Sequence, residues 1–124
     1  MEKEDYLETI YDLKREKGFV RISDIASMLG ISKPSATQMM KRLADEGCVV
    51  YKPYAPLELT KKGERIGKKI AERHEVLAEF MTILGISKTI QEKDIHGMEH
   101  CLSESTLKAL RKASKFLKDK KFKI

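Results

Sequence analysis

The stretch "SDIASMLGISKPSATQMMKRLADEG", residues 23–47, decides the fold. Ser23 reads as an N-cap for a short helix over Asp24–Leu29, which Gly30 ends. Ser32 reads as the cap of a second helix, with Pro34 in its first turn. That helix runs to about Glu46, where Gly47 stops it. Two helices joined by so short a turn have helix-turn-helix spacing. Ile25, Ala26 and Leu29 can pack on Ala36, Met40 and Leu43. Lys33, Ser35, Thr37, Gln38 and Lys41 are left at the second helix's N-terminus and open face. Hydroxyls and a Gln can reach base edges in a major groove, while lysines and a helix N-terminus neutralise phosphates. The plainer reading is a three-helix packing unit with a solvated polar face.

The residues after Gly47 tip the balance toward DNA binding. Val49-Val50-Tyr51 and Leu57-Glu58-Leu59 flank Lys52-Pro53-Tyr54-Ala55-Pro56, the pattern of a small hairpin, or wing. Lys52 and Tyr54 at its tip are placed to grip flanking backbone phosphates. Upstream, residues 3–17 read as a helix with Tyr6, Leu7, Ile10, Tyr11 and Leu13 on one face, stopped by Gly18. Phe19-Val20-Arg21-Ile22 reads as a short extended piece.

The bulk numbers agree with a DNA-binding unit. The formal charge of the 124-residue chain is +6, which favours an anionic partner, and 41% hydrophobic residues suffice for a core. No apolar run approaches the roughly 20 residues of a membrane span. The charged, amphipathic N-terminus is not a secretory signal. Cys48 and Cys101, the two cysteines, read as reduced thiols in a cytoplasmic protein. The basic C-terminal "KFLKDKKFKI" reads as a solvated tail.

The second half is helical. Thr60 caps a long helix reaching about Leu84, with Ile66, Ile70, Leu77, Met81 and Leu84 as its apolar stripe and His74 in register with them. Residues 91–102 read as another helix, with Ile95, Met98 and Leu102 as its stripe. Ser103 caps a last one, with Leu107, Leu110 and Leu117 inward. At ~100° per residue, His96, Glu99 and His100 share one arc while Cys101 points away and serves packing. His96 and His100, four apart, can bite one metal ion with Glu99 beside them. His74, alone in an apolar stripe, also fits a core histidine bonded to a carbonyl. Asp5 and Glu8 can coordinate, or can simply favour a helix N-terminus. From the residues alone, a metal centre and structural polar packing both stand.

"HGMEH", residues 96–100, also fits the zinc-peptidase pattern H-x-x-E-H. A peptidase needs a substrate cleft on a larger scaffold, whereas this chain devotes its first sixty residues to a DNA-reading unit. No catalytic residue is expected.

The motifs occur in a distinctive order: "EDYLETIY" at 4–11, "RISDIASMLGISKPSATQMMKRLADEGCVVY" at 21–51, "LTKKGERIGKKIAERHEVLAEFMTILGI" at 59–86 and "HGMEHCLS" at 96–103. In this order the chain resembles the diphtheria toxin repressor and manganese transport regulator family, from residue 4 to about 110. It carries no sequence for a third, SH3-like domain, which resembles the shorter manganese branch. The resemblance implies a dimeric, metal-dependent winged-helix repressor. It implies ligand roles for Asp5 and Glu8, for His74 in "RHEVL", and for Glu99 and His100. His96 departs from the pattern, since the manganese branch has Glu there and the iron branch Cys. Ala78 stands where the iron branch has an ancillary glutamate.

The expected architecture is mainly α. Residues 1–72 form a winged helix-turn-helix with a hairpin wing, and residues 73–124 a helical metal-binding and dimerisation domain. The expected function is transcriptional repression at a palindromic operator when metal is bound, with metal-uptake genes as the targets the resemblance implies. The cofactor would be one or two divalent ions per subunit (Mn, Fe, Co or Zn). They would be held by Asp5, Glu8, His74, His96, Glu99 and His100. Partners would be double-stranded DNA and a second copy of the chain, with no membrane and no small organic substrate. The rival reading is a metal-independent winged-helix regulator with a structural histidine cluster.

Overall fold

Leu7, Ile10 and Leu13 fall on one face of a helix, and that face seeds the first core. The computed structural model describes residues 3–122, so Lys123 and Ile124 of the basic tail lie outside the described residues. The chain divides into two units, Met1–Ala71 and Glu72–Ile124.

In the first unit, α1 (Lys3–Lys17) buries Tyr6, Leu7, Ile10 and Leu13. Helix α2 (Ile22–Leu29) and α3 (Lys33–Asp45) follow. Ile25, Met40 and Leu43 join the α1 residues in one core with Val20, Cys48, Val49 and Leu57, and Leu29 packs at its margin. Burying a side chain of this size contributes about 1.5–3 kcal/mol, so the helix-turn-helix is held by its apolar seam. The expected stop and start signals are present. Gly30 takes the left-handed conformation at φ 65° and returns its N–H to the carbonyls of Ala26 and Ser27. Ser32 accepts from the Ser35 N–H, with Pro34 in the first turn of α3.

Ser23 does not cap α2. The helix starts two residues earlier than the hydroxyl pattern implies, and Arg21 is its N-cap. The carboxylate of Asp24 reaches back to accept from the Arg21 N–H at 2.9 Å, so the acid satisfies an end that Ser23 was expected to satisfy. The Lys17 ammonium, 2.8 Å from Asp24, and the Arg21 N–H hold that carboxyl below its ordinary range. Consequently the extended piece stops at Arg21, and Ile22 is helical.

The wing is shorter than expected. Strands β1 (Val49–Val50) and β2 (Glu58–Leu59) pair antiparallel in the register Val49↔Leu59 and Val50↔Glu58. Tyr51 lies outside the pair. Leu57 instead bridges to Val20, donating its N–H to the Val20 carbonyl at 2.7 Å, which ties the wing to the segment between α1 and α2. Thr60 closes the unit: its hydroxyl donates to the Gly47 carbonyl at 2.6 Å and accepts from the Gly63 N–H at 3.1 Å. It thereby caps α4 (Lys61–Ile83), as its position implied.

The second unit takes the rest of α4 with α5 (Lys88–Met98) and α6 (Glu104–Asp119). Leu77, Met81 and Ile95 form its core, with Ala78, Ile86, Leu102 and Leu110 packed against it. Gln91, also buried, is satisfied by donating to the Thr82 hydroxyl and the Ile86 carbonyl. Ser103 caps α6 by accepting from Thr106. The expected helix over 91–102 is corrected at both ends, to Lys88–Met98. Residues 99–101 form a turn. Two details of its expected stripe change with it: Met98 is exposed, and Leu102 joins the core from beyond the turn. Cys101 is exposed rather than packed, its thiol directed at the Gly97 carbonyl.

Candidate metal centre and nucleic-acid interface

Glu99 is the unusual residue of the second unit: a carboxylate only 1% exposed. An ionised group is costly to bury unless positive or hydrogen-bonding partners surround it. Here two imidazoles converge on it. His74 Nδ1 of α4 lies 3.2 Å from Glu99 Oε2, and His100 Nε2 lies 3.8 Å from Glu99 Oε1. His96, on the last turn of α5, is exposed and meets the His100 ring edge-on, with centroids 6.3 Å apart. Because α5 ends at Met98, Glu99 and His100 are presented by the turn rather than by one continuous helix.

Two imidazoles around one buried carboxylate suit a first-row divalent ion, since imidazole nitrogen and carboxylate oxygen are its common ligands. His74 and His96 each bring a ring nitrogen within 4.8 Å of a Glu99 carboxylate oxygen, the donor types such an ion takes. The arrangement does not suit the peptidase reading of H-x-x-E-H. That mechanism needs the Glu free to activate water, and both carboxylate oxygens of Glu99 face imidazoles. Asp5 and Glu8 lie on α1 of the first unit, one turn apart. Asp5 is buried at 5% exposure and Glu8 is half-buried.

On the first unit, Lys33, Ser35, Gln38 and Lys41 are exposed along α3, with Thr37 half-buried. Ser35 is partly engaged in the cap, where the Ser32 hydroxyl donates to its Oγ. Lys33 and Thr37 line a cleft of about 280 Å³ together with Arg21, Lys52 and Tyr54. Tyr54 is fully exposed and sits at φ 63°, a left-handed conformation that costs a residue other than glycine about 1 kcal/mol. Its aromatic ring is thus held out into solvent at the mouth of this cleft. Arg21, absent from the expected contacts, shares the cleft and lies over the Phe19 ring at 5.8 Å. Its signal was a basic residue in the short segment just before α2.

Two family models match the chain: the iron-dependent repressor N-terminal DNA-binding domain over residues 1–57, and the iron-dependent repressor metal-binding and dimerisation domain over residues 60–122. The chain belongs to the iron-dependent repressor family. A member from Shouchella clausii, the HTH-type transcriptional regulator MntR, is 47% identical over 100 residues, covering 81% of this chain and 70% of its own length. Among solved structures, the manganese regulator SloR matches with a TM-score of 0.74 at 27% identity, over 89% of this chain and 52% of that one. ScaR with bound Zn²⁺ matches with a TM-score of 0.70 at 26% identity, over 91% of this chain and 53% of that one. The chain thus spans about half the length of these solved relatives.

As a member of the iron-dependent repressor family, the chain is a metal-dependent transcriptional regulator with a DNA-binding domain and a dimerisation domain. No helix among the described residues is long and apolar enough to cross a membrane.

Proposed function

We propose that the protein is a cytoplasmic, homodimeric repressor, not an enzyme, that binds a palindromic operator when a divalent transition metal occupies His74, Glu99 and His100. Asp5, Glu8 and His96 complete the ligand set in this reading. The observation that carries it is the buried Glu99 carboxylate, 1% exposed, with His74 at 3.2 Å and His100 at 3.8 Å. A bound divalent ion supplies the positive charge that lets several carboxylates and imidazoles share one point. His74 and His100 hold Glu99 in place. Asp5 and Glu8 make the DNA-binding domain sense occupancy, because both belong to its first helix. Ligand and DNA then stabilise the same conformation, so each tightens binding of the other. Two-fold symmetry of the dimer requires two matching half-sites. Control of metal-uptake genes, with Mn, Fe, Co or Zn as the ion at one or two sites per subunit, is the physiological role this reading assigns.

The direct test selects DNA from a random-sequence pool with metal-loaded protein, then measures anisotropy with and without chelator. Tight binding that chelator leaves untouched would remove the metal from the mechanism.

In the reader helix, Lys41 and Gln38 should separate affinity from specificity. Lys41→Ala is expected to weaken all DNAs alike and flatten the salt dependence. Gln38→Ala should relax preference at one half-site position, by ~1–3 kcal/mol. Binding curves at several salt concentrations on matched and mismatched duplexes check both, and a protein indifferent to both changes reads DNA with another element.

His96 is expected to tune the metal order. Manganese prefers hard oxygen ligands and forms weak complexes among first-row ions, whereas imidazole suits iron, cobalt and zinc. His96→Glu should therefore shift preference toward Mn²⁺ in a competition titration. An unchanged order in both His96→Glu and His96→Ala would place His96 outside the ligand set.

A further inference from the structure

Arg73 is buried, at 7% exposure, next to the residue that meets the Glu99 carboxylate. Burying a guanidinium contributes little to stability and leaves a penalty wherever a donor goes unmatched. One donor does go unmatched: the buried Nε has no hydrogen-bond partner among the described residues. The remaining fork is used for one purpose. Nη1 donates to the Glu99 main-chain carbonyl at 3.1 Å, and Nη2 to Glu104 Oε1 at 3.2 Å. Consecutive residues of α4 therefore hold Glu99 at both ends, Arg73 by its backbone and His74 by its side chain.

The backbone contact is placed where it matters. In a continuing α-helix, the Glu99 carbonyl would accept from the N–H of residue 103. Ser103 is instead the N-cap of α6, and Arg73 takes its place as donor to Glu99. Glu104, in the first turn of α6, anchors the other arm of the fork and offsets the guanidinium charge. The turn over 99–101, which presents Glu99 and His100, is thus pinned between α4 and α6.

We propose that Arg73 is a positioning residue for the metal centre: its fork fixes the 99–101 turn so that the Glu99 carboxylate faces His74 before any ion arrives. This rests on the reading of His74, Glu99 and His100 as ligands. The planar fork is essential, because a lysine ammonium is a single point donor that cannot serve both acceptors in this geometry.

The test uses the full chain, stripped of metal and titrated with Co²⁺ alone, read by calorimetry and by the visible absorption of the bound cobalt. Arg73→Lys should bind Co²⁺ about 10–100-fold more weakly, the cost of losing a group that orients a ligand. Its cobalt spectrum should change in shape as well as amplitude. Wild-type affinity and spectrum in Arg73→Lys would overturn the proposal, whatever its effect on Tm. Where Arg73→Lys does not fold, Glu104→Gln decides: it keeps the buried arginine and loosens one arm of its grip. Weaker binding than wild type, by less than for Arg73→Lys, with an altered spectrum is expected, and no change in either would overturn the proposal. Failure of the wild-type chain itself to bind Co²⁺ would instead refute the ligand assignment beneath it.

Discussion

Glu99→Ala is expected to abolish metal-dependent DNA binding. Both oxygens of this carboxylate face imidazoles, and the residue is 1% exposed. Its removal takes away the buried carboxylate that both His74 and His100 approach. Metal affinity should fall at least as far as it does when a mere orienting group is lost, ~10–100-fold and more. DNA binding follows metal occupancy, so affinity for the selected duplex should drop by roughly 10³-fold, to the non-specific level. The metal-free fold should survive, since an alanine removes a buried charge along with its contacts. Circular dichroism and anisotropy on the same preparation separate the two effects. A folded Glu99→Ala variant that still binds its operator in response to metal would sink the proposed centre.

Gly63→Ala is expected to be the most destabilising small substitution in the first unit. Its added Cβ would fall on the carbonyl oxygen of Cys48, a backbone atom that cannot rotate aside. That oxygen already accepts from the Thr60 N–H at 3.0 Å, and Cys48 itself is fully buried. Relief requires moving α4 away from the wing, which breaks the Thr60 cap. Overpacking of this kind costs about 3 kcal/mol, a fall in Tm on the order of 10 °C for a chain of this length. Gly97→Ala is the internal control. Gly97 lies in α5 with nothing within 4 Å of the new Cβ, so replacing glycine in a helix should stabilise by roughly 0.5–1 kcal/mol. Thermal melts of both variants check the pair, and equal effects would mean that α4 does not press on Cys48.

Much of this protein is set locally, and local features are what a sequence exposes. The helix-turn-helix follows from Gly30, Ser32 and Pro34, whose conformational preferences act within a few residues. The apolar spacing of α1 and α3 marks the faces they bury, because helical periodicity is fixed by backbone geometry. The caps at Thr60 and Ser103 are legible for the same reason. The three histidines and their acids were visible as residue types able to bind metal, but their mutual distances were not.

Tertiary structure decided the rest, wherever a distant partner competes with a local preference. Helix α2 starts at Ile22 because Asp24, steadied by Lys17, supplies the cap in place of the Ser23 hydroxyl. The apolar spacing to Leu102 implied an unbroken helix, yet α5 stops at Met98. Arg73, twenty-six residues away in sequence, captures the Glu99 carbonyl, and Leu102 reaches the core after the turn instead. Nothing about an arginine in a charged helix announces burial. Its position is settled only when α4, the turn and α6 close around it, since the acceptors that make a buried guanidinium tolerable come from separate segments of the chain.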